Sequence, residues 1–313
     1  MCIFAPSVGG ASVAKYDISS VVKKVQKLYD KDDKSKAMIT SGDTVKQTYA
    51  ASDGVPVPTG NPLQELVGLP CVPYNKIIQI SGPPDSGKST SSGQLMASAQ
   101  KTDHIVILWD SEQKFDARRY DSKFGGDSSN VLLVKTNEIL QGGEKVRKLV
   151  LECKEQYPDA KLFIVWDSVG GSQARGAAER EMDSEKHAQP GQDAKENGAV
   201  MKMMVGLINK FPDSIAVCMI NQVYAKIGFM QQGDAESGGK KIEYHSSLII
   251  RLKKIKTLTK VVKGVEVKRG ILTRATVAKN HLSQSETSIH KLDFEITASG
   301  ITRSGYQEQE DAD

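Results

Sequence analysis

Cysteine is scarce in this 313-residue chain and scattered where it occurs. Cys2, Cys71, Cys153 and Cys218 share no CxxC spacing, so neither a structural zinc site nor a dithiol redox motif is expected. Cys218 falls inside an apolar strand pattern, and all four are read as reduced thiols. No window reaches the roughly 18 uninterrupted apolar residues of a membrane helix. The opening MCIFAPSVGG also lacks the basic start and long apolar run of a secretory signal. A soluble, cytoplasmic protein with no membrane partner is the expectation. Hydrophobic residues make up 39% of the chain and charged ones 26%. That is enough apolar material for one large α/β core, which excludes a disordered or fibrous protein.

Acidic residues are nearly missing from one long stretch. Between Arg251 and His281 stand ten Lys or Arg (Arg251, Lys253, Lys254, Lys256, Lys260, Lys263, Lys268, Arg269, Arg274, Lys279) and a single acid, Glu266. The ending QEQEDAD holds four acids, so the first 306 residues carry a net +8 against +4 for the whole chain. A one-signed stretch is either a solvated face or the footprint of a polyanion site.

From Asp17 onward Ile18, Val21, Val22, Val25, Leu28 and Tyr29 recur at helical spacing. A short run, AMIT, and a turn-rich linker, SDGVPVPTGNP, follow. Residues 1–58 therefore read as an arm and linker, too short and polar to hold much core, which docks on its own core or on a neighbouring subunit. Residues 59–300 read as the core and 301–313 as an acidic tail. Within the core, KIIQIS (76–81), HIVILWD (104–110), KLFIVWD (161–167), SIAVCMIN (214–221) and SLIIRL (247–252) are near-continuous apolar runs separated by helix-length segments. They predict strands buried on both faces of a mainly parallel sheet. Between about 258 and 298 the pattern changes to alternating strands, which predicts antiparallel strands extending that sheet.

The chemistry-bearing residues sit at the ends of these runs. Gly82, Pro83, Pro84, Asp85, Ser86, Gly87, Lys88 and Ser89 fit GxxxxGK[ST], directly after a strand and before a helical stretch. Glycines let backbone N–H groups close around phosphates at a helix N-terminus, Lys88 reaches the β- and γ-phosphates, and the Ser89 hydroxyl ligates Mg²⁺. The second run ends in Asp110-Ser111-Glu112 and the third in Asp167-Ser168. Ligands of open α/β sheets gather at carboxyl ends of strands, so these acids are placed to project toward the phosphate loop. Asp167 is the expected partner of Mg²⁺ and Glu112 the group that polarises an attacking water. The competing reading is that either acid only caps the following helix. A fourth run ends in Asn221-Gln222, amides suited to bond a γ-phosphate.

Seven segments, TGNPLQELVGLP, GPPDSGKST, WDSEQKFD, IVWDSVGG, INQVYAKIGFM, SGGKKIEY and VAKNH, occur in this order between residues 59 and 300. In order and spacing the chain resembles the bacterial RecA family of recombinases. The resemblance implies a RecA-type P-loop ATPase core, with ATP and Mg²⁺ as cofactors and the phosphate cradle continuing to Thr90. Glu112 would be the catalytic base, and Asp116 with Arg119 or Tyr120 would face the adenine. Gln222 would sense the γ-phosphate and open a second DNA-binding loop of about 223–243, after a first of about 179–198. Both segments are polar, glycine-containing and long for ordinary connections.

By the same resemblance Lys226, Ile227 and Gly228 grip and wedge the DNA strand, Gly238, Gly239 and Lys240 belong to the same loop, and Lys202 matches a DNA-contacting arginine. Lys253, Lys254 and Arg274 fall in a secondary site for the incoming or displaced strand. Lys279 and His281 match a basic pair that closes the ATP site of the next subunit. Departures stand beside these matches: His281 makes one charge of the pair depend on pH, Tyr224 replaces an arginine, and the first loop is longer and more acidic. The chain stops soon after FEITASGITRSG, without the family's C-terminal domain, a compaction expected of a bacteriophage-encoded protein.

The implied function is DNA-dependent ATP hydrolysis that drives helical filament assembly on single-stranded DNA, homologous pairing with duplex DNA and strand exchange. The implied partners are both DNAs, further copies of the chain, and single-strand-binding and loading proteins. Two other classes share the core: a ring helicase or translocase, and a regulatory assembly ATPase that does not bind DNA.

Overall fold

The chain divides into two units, Met1–Ala50 and Ala51–Asp313. A computed structural model describes residues 53–177, 191–225, 234–282, 290–297 and 300–304, all in the second unit. The helix expected from Asp17, the AMIT run, Cys2, most of the expected first loop, Lys226, Ile227, Gly228 and the acidic ending lie outside the described residues.

Strands β1 (Gly54–Pro56) and β2 (Cys71–Pro73) pair antiparallel as a small separate sheet, with helix α1 (Pro62–Val67) between them. The remaining elements build one sheet. In chain order its strands are β3 (Ile77–Gly82), β4 (His104–Asp110), β5 (Val131–Lys135), β6 (Lys161–Asp167), β7 (Ile215–Ala225), β8 (Asp234–Glu236), β9 (Leu248–Val262), β10 (Val265–Asn280), β11 (Lys291–Thr297) and β12 (Gly300–Arg303). The spatial order is β12-β11-β10-β9-β3-β7-β6-β4-β5, with β8 folded back on the end of β7. From β9 to β5 neighbours run parallel, and from β9 to β12 antiparallel. The fold is thus an α/β core of mainly parallel strands extended by antiparallel ones.

Helices cover both faces, which is why the strands read as continuous apolar runs. Successive residues of β4 enter opposite cores: Val106 and Leu108 join Leu95 and Met96 of α2 (Lys88–Gln100), and Ile107 and Trp109 join the other side. That second core is closed by Val146 and Val150 of α3 (Ile139–Gln156) and by Val200, Met201 and Met204 of α4 (Gln192–Lys210). Among the described residues no helix is long and apolar enough to cross a membrane. Cys71, Cys153 and Cys218 are free thiols.

Several boundaries differ from the sequence expectation. The end of the expected linker is core: Val55 and Val57 are buried, because β1 finds a partner in β2. At the other end Ile301 is buried in β12, so the core runs past residue 300. Strand β5, VLLVK, was not among the expected strands. The expected first loop ends earlier, since Gln192 already starts α4. The expected second loop is shortened by β7, β8 and helix α5 (Lys240–His245). The runs expected as SLIIRL and TKVVKG form one 15-residue strand, β9, paired with the 16-residue β10. Their turn places Lys263 at φ 51° and Gly264 at φ 79°, the paired positive φ of a tight two-residue hairpin.

Candidate active site

The phosphate loop is shaped by two glycines that admit no side chain. A Cβ on Gly82 would lie 2.2 Å from the Leu252 carbonyl oxygen. Gly87, at φ 97°, starts α2, and a Cβ there would lie 2.1 Å from Ile296 Cδ1. Gly87 offers α2 no side-chain cap, so the first-turn N–H groups open toward the loop. The Thr273 hydroxyl of β10 holds the loop by donating to the Ser86 carbonyl (3.1 Å). The Ser86 hydroxyl itself is buried with no hydrogen-bond partner, as expected of a cradle shaped for a phosphate oxygen. Lys88 Nζ donates to the Pro83 carbonyl (2.7 Å). Burial pulls its pKa down, opposed by the carboxylates of Asp167, Glu112 and Asp85.

The acids are placed by a register match. In β4 and β6, Trp109 pairs with Trp166 and Asp110 with Asp167. The two indoles stack at 4.1 Å and 7°, fully buried, and each Nε1 donates a hydrogen bond, to the Thr136 carbonyl and the Ser172 hydroxyl. Ser111 and Ser168 exchange two further bonds across the strand ends. Asp110 lines the same cavity as the phosphate loop, but its carboxylate is taken up by main-chain donors. It is buried and accepts from the backbone N–H of Lys114 (3.1 Å) and Phe115 (2.8 Å), closing a tight turn with Gln113 at φ 54°.

Asp167 does face the loop, hydrogen-bonded to Ser89. Burial pushes its carboxyl up to about 6 despite that bond, helped by the nearby Glu112 and Asp110 carboxylates. A cation would relieve this crowding, and a hydroxyl beside a carboxylate is the hard oxygen set that suits Mg²⁺. Among the described residues no cluster of three His, Cys, Asp or Glu is poised to hold a metal.

Three donors converge on Glu112. Oε1 accepts from the Ser168 hydroxyl and from Gln222 Nε2 (2.6 Å), and Oε2 from Lys114 Nζ (2.5 Å). Burial opposes the charge, but the bonds from Lys114, Ser168 and Gln222 outweigh it and hold the carboxyl below its usual range. Of the amide pair only Gln222 serves the site. Asn221 is buried, donating to the Ser237 carbonyl (3.0 Å) and accepting from the Gln222 N–H. Ser168 and Lys114 were not expected here. The one sequence signal for Lys114 is its place two residues beyond Glu112.

Glu112, Lys114, Asp167 and Gln222 line one cavity of about 740 Å³ together with Pro84–Thr90, Asp116, Arg119, Phe124, Lys268–Ile271 of β10 and Ile296. Arg119 Nη2 donates to the Thr90 hydroxyl (3.0 Å), and its guanidinium lies 5.8 Å over the Phe124 ring. Asp116 accepts from the Arg119 N–H. Tyr120 is packed into the wall and donates to Gln100 Oε1 (2.8 Å), which leaves Arg119 as the more open of the two residues expected near a base.

Other expected residues lie elsewhere. Lys279 Nζ donates to the Glu243 and Tyr244 carbonyls near the end of α5, and the His281 N–H bonds the Ser247 carbonyl; neither lines the cavity. Burial lowers the pKa of His245, and Lys241, Lys279 and Lys202 lower it further, so these lysines form one positive neighbourhood. Gly238 and Gly239, at φ 87° and 85°, turn the chain into α5, and Lys240 is exposed. Arg274, expected as a DNA contact, instead binds Asp293 through two bonds of 2.7 and 2.9 Å, and Arg269 pairs with Glu295. Counting acids along 251–281 missed both partners because they stand on β11. Lys253 is exposed and Lys254 half-buried, paired in register with Arg274 and Thr273.

Residues 17–301 match the family model for the RecA N-terminal domain. Protein RecA of Porphyromonas gingivalis is 30% identical over 253 residues, 80% of this chain and 68% of that protein. Protein RecA of Mycobacteroides abscessus is 29% identical over 267 residues (84% and 70%). Protein RecA of Roseiflexus castenholzii is 28% identical over 252 residues (80% and 66%). The chain spans about two thirds of the length of these relatives.

Proposed function

The chain belongs to the RecA family, and from that premise we propose that it is a DNA-dependent ATPase. In this reading it forms helical filaments on single-stranded DNA and catalyses homologous pairing and strand exchange. The observation that carries the reading is the hydrogen bond from Gln222 to Glu112. It joins the candidate base to the strand that leads into residues 226–233, the heart of the proposed second DNA loop.

ATP phosphates would lie in the cradle from Gly82 to Thr90 with Lys88 on the β- and γ-phosphates, and Ser89 and Asp167 would hold Mg²⁺. The ion, when bound, screens phosphate charge. Glu112 orients a water and accepts its proton as the water oxygen bonds the γ-phosphorus and the bond to the β–γ bridging oxygen breaks. Gln222 turning toward the γ-phosphate would free Glu112 for this step, so DNA bound at the loop and ATP at the site favour the same arrangement. Asp116 and Arg119 would flank the adenine.

Lys202, Lys226, Ile227, Gly228, Gly238, Gly239 and Lys240 would hold the first strand, mainly by its phosphates. Lys253 and Lys254, more than the ion-paired Arg274, would serve the second. Lys279 and His281 would act on the neighbouring subunit's ATP, and the arm that precedes β1 would dock on a neighbour. A head-to-tail interface that does not close builds a filament. Electron microscopy with single-stranded DNA and a slowly hydrolysed ATP analogue, beside a DNA-stimulated ATPase assay, tests this. Helical filaments and stimulated hydrolysis are expected. Closed rings, or hydrolysis indifferent to DNA, would replace the reading with a ring translocase or a regulatory ATPase.

A further inference from the structure

We propose that Lys114 is a γ-phosphate ligand supplied by the same subunit: its ammonium, bonded to Glu112 in this structure, transfers to the γ-phosphate when ATP binds. The proposal deepens the nucleotide reading and rests on it. Two observations and two charge arguments support it.

First, the loop is built to present this side chain. Asp110 accepts the backbone N–H groups of both Lys114 and Phe115, and Gln113 sits at positive φ between the two presented residues. The turn brings Glu112 and Lys114, two residues apart, onto the same cavity. Second, the ammonium remains open to the cavity. The Lys114 side chain is 78% exposed against 19% for Glu112, and its bond to Glu112 uses one of three donors.

Third, a γ-phosphate beside Glu112 calls for a cation at that carboxylate, and of the cations lining the cavity (Lys88, Lys114, Arg119, Lys268 and Arg269) it is Lys114 that is bonded to it. Asp85, Glu112 and Asp167 all line the cavity, and Lys88 already feels all three. A γ-phosphate arriving beside Glu112 sets one anion against another unless a cation lies between them, and Lys114 is bound to that carboxylate. Fourth, a triphosphate offers a denser charge than one carboxylate, whereas ADP offers nothing at the γ-position. The exchange would therefore distinguish ATP from ADP within one subunit, before any neighbour contributes.

The turn does not depend on the lysine side chain, because its bonds to Asp110 come from main-chain N–H groups that alanine retains. Glu112 keeps Ser168 and Gln222 as donors in any Lys114 variant. The experiment is calorimetric titration of the full chain with Mg²⁺ and either a non-hydrolysable ATP analogue or ADP, for wild type, Lys114→Ala and Lys114→Arg, with steady-state ATPase alongside.

Removing one charge-assisted hydrogen bond should weaken analogue binding about 10-fold or more in Lys114→Ala while ADP binding stays within about twofold, kcat falls, and Lys114→Arg recovers most of the difference. Equal weakening for both nucleotides would overturn the proposal. So would unchanged affinities with a raised kcat, which would make Lys114 only a restraint on the base. Tight wild-type binding with an unmoved ATP-to-ADP ratio in Lys114→Ala overturns this inference alone. A wild-type chain that binds neither nucleotide overturns the ATP-site reading as well.

Discussion

The cavity end of the parallel strands and the outer half of the β9–β10 ribbon handle charge in opposite ways. Around Glu112, ammonium, hydroxyl and amide donors converge on a single carboxylate, each set by a different strand end. Along the ribbon, Lys256, Lys260 and Lys263 make no ion pair among the described residues, and Val261 and Val265 stand 72% and 63% exposed. In the first region function rests on position, so one substitution should have a large and specific effect. In the second it rests on number, so effects should be small, additive and sensitive to salt.

The sharpest way to break the comparison is at the cavity. Lys88→Ala should abolish nucleotide-dependent DNA binding, because the buried ammonium has no substitute in the cradle. Glu112→Gln should keep ATP and DNA bound while turnover falls by about 10² or more, measured by filter binding and coupled ATPase. Normal turnover in Glu112→Gln would move the base to another residue and remove the reason for three donors converging there.

Next in size is Asp167. Its folded pKa of about 6 lies above that of an unfolded aspartate, so the native state holds the extra proton and loses stability as pH rises from about 4 to about 6. Asp167→Asn removes that penalty. Without Mg²⁺ or nucleotide, the variant should be more stable than wild type by up to about 3 kcal/mol above pH 6, and by little at pH 4, while its Mg²⁺-dependent ATPase is lost. Thermal melts across this pH range would show it, and an equal gain at both ends would contradict the burial argument.

Gly142→Ala probes the support behind the acids. Its Cβ would lie 2.0 Å from Trp109 Cζ2, so the helix must retreat or the indole stack must open. Overpacking of this kind costs about 1–3 kcal/mol. Both tryptophans of the chain are in that stack, so near-ultraviolet circular dichroism reports the disturbance directly. An unchanged spectrum and melting temperature would show that the pair tolerates the helix closer than its geometry implies.

What the sequence revealed follows the same division. KLFIVWD reads as a buried strand because its apolar run is continuous, and it forms β6 with the same bounds. GPPDSGKS is legible because each residue is dictated by local backbone geometry. Lys114 was not, since its role depends on a positive φ at Gln113 and on Asp110 turning inward. Strand β5 escaped notice because VLLVK is short, and the linker's end because GVP becomes a strand only when CVP pairs with it. Arg274 looked available because its partner, Asp293, is brought beside it only by the β10–β11 pairing.

That last pair allows the smallest effect to be predicted. Arg274 and Asp293 together add no net charge to the ribbon, whereas Lys253 and Lys254 add two. Converting the ion pair to uncharged polar residues, Arg274→Gln with Asp293→Asn, leaves the net charge as it was and should leave the salt dependence of duplex binding unchanged. Lys253→Gln with Lys254→Gln should make that dependence shallower by about 0.9 log units of K per log unit of salt for each phosphate no longer neutralised, with single-strand-dependent ATPase nearly intact. Fluorescence anisotropy with labelled duplex over a salt series measures both slopes. If the double-neutral pair flattened the slope as much as the two lysines, Arg274 would be reaching phosphate despite Asp293. If neither pair moved it, the basic ribbon would be a solvated face, and the contrast between the two regions would be one of charge alone.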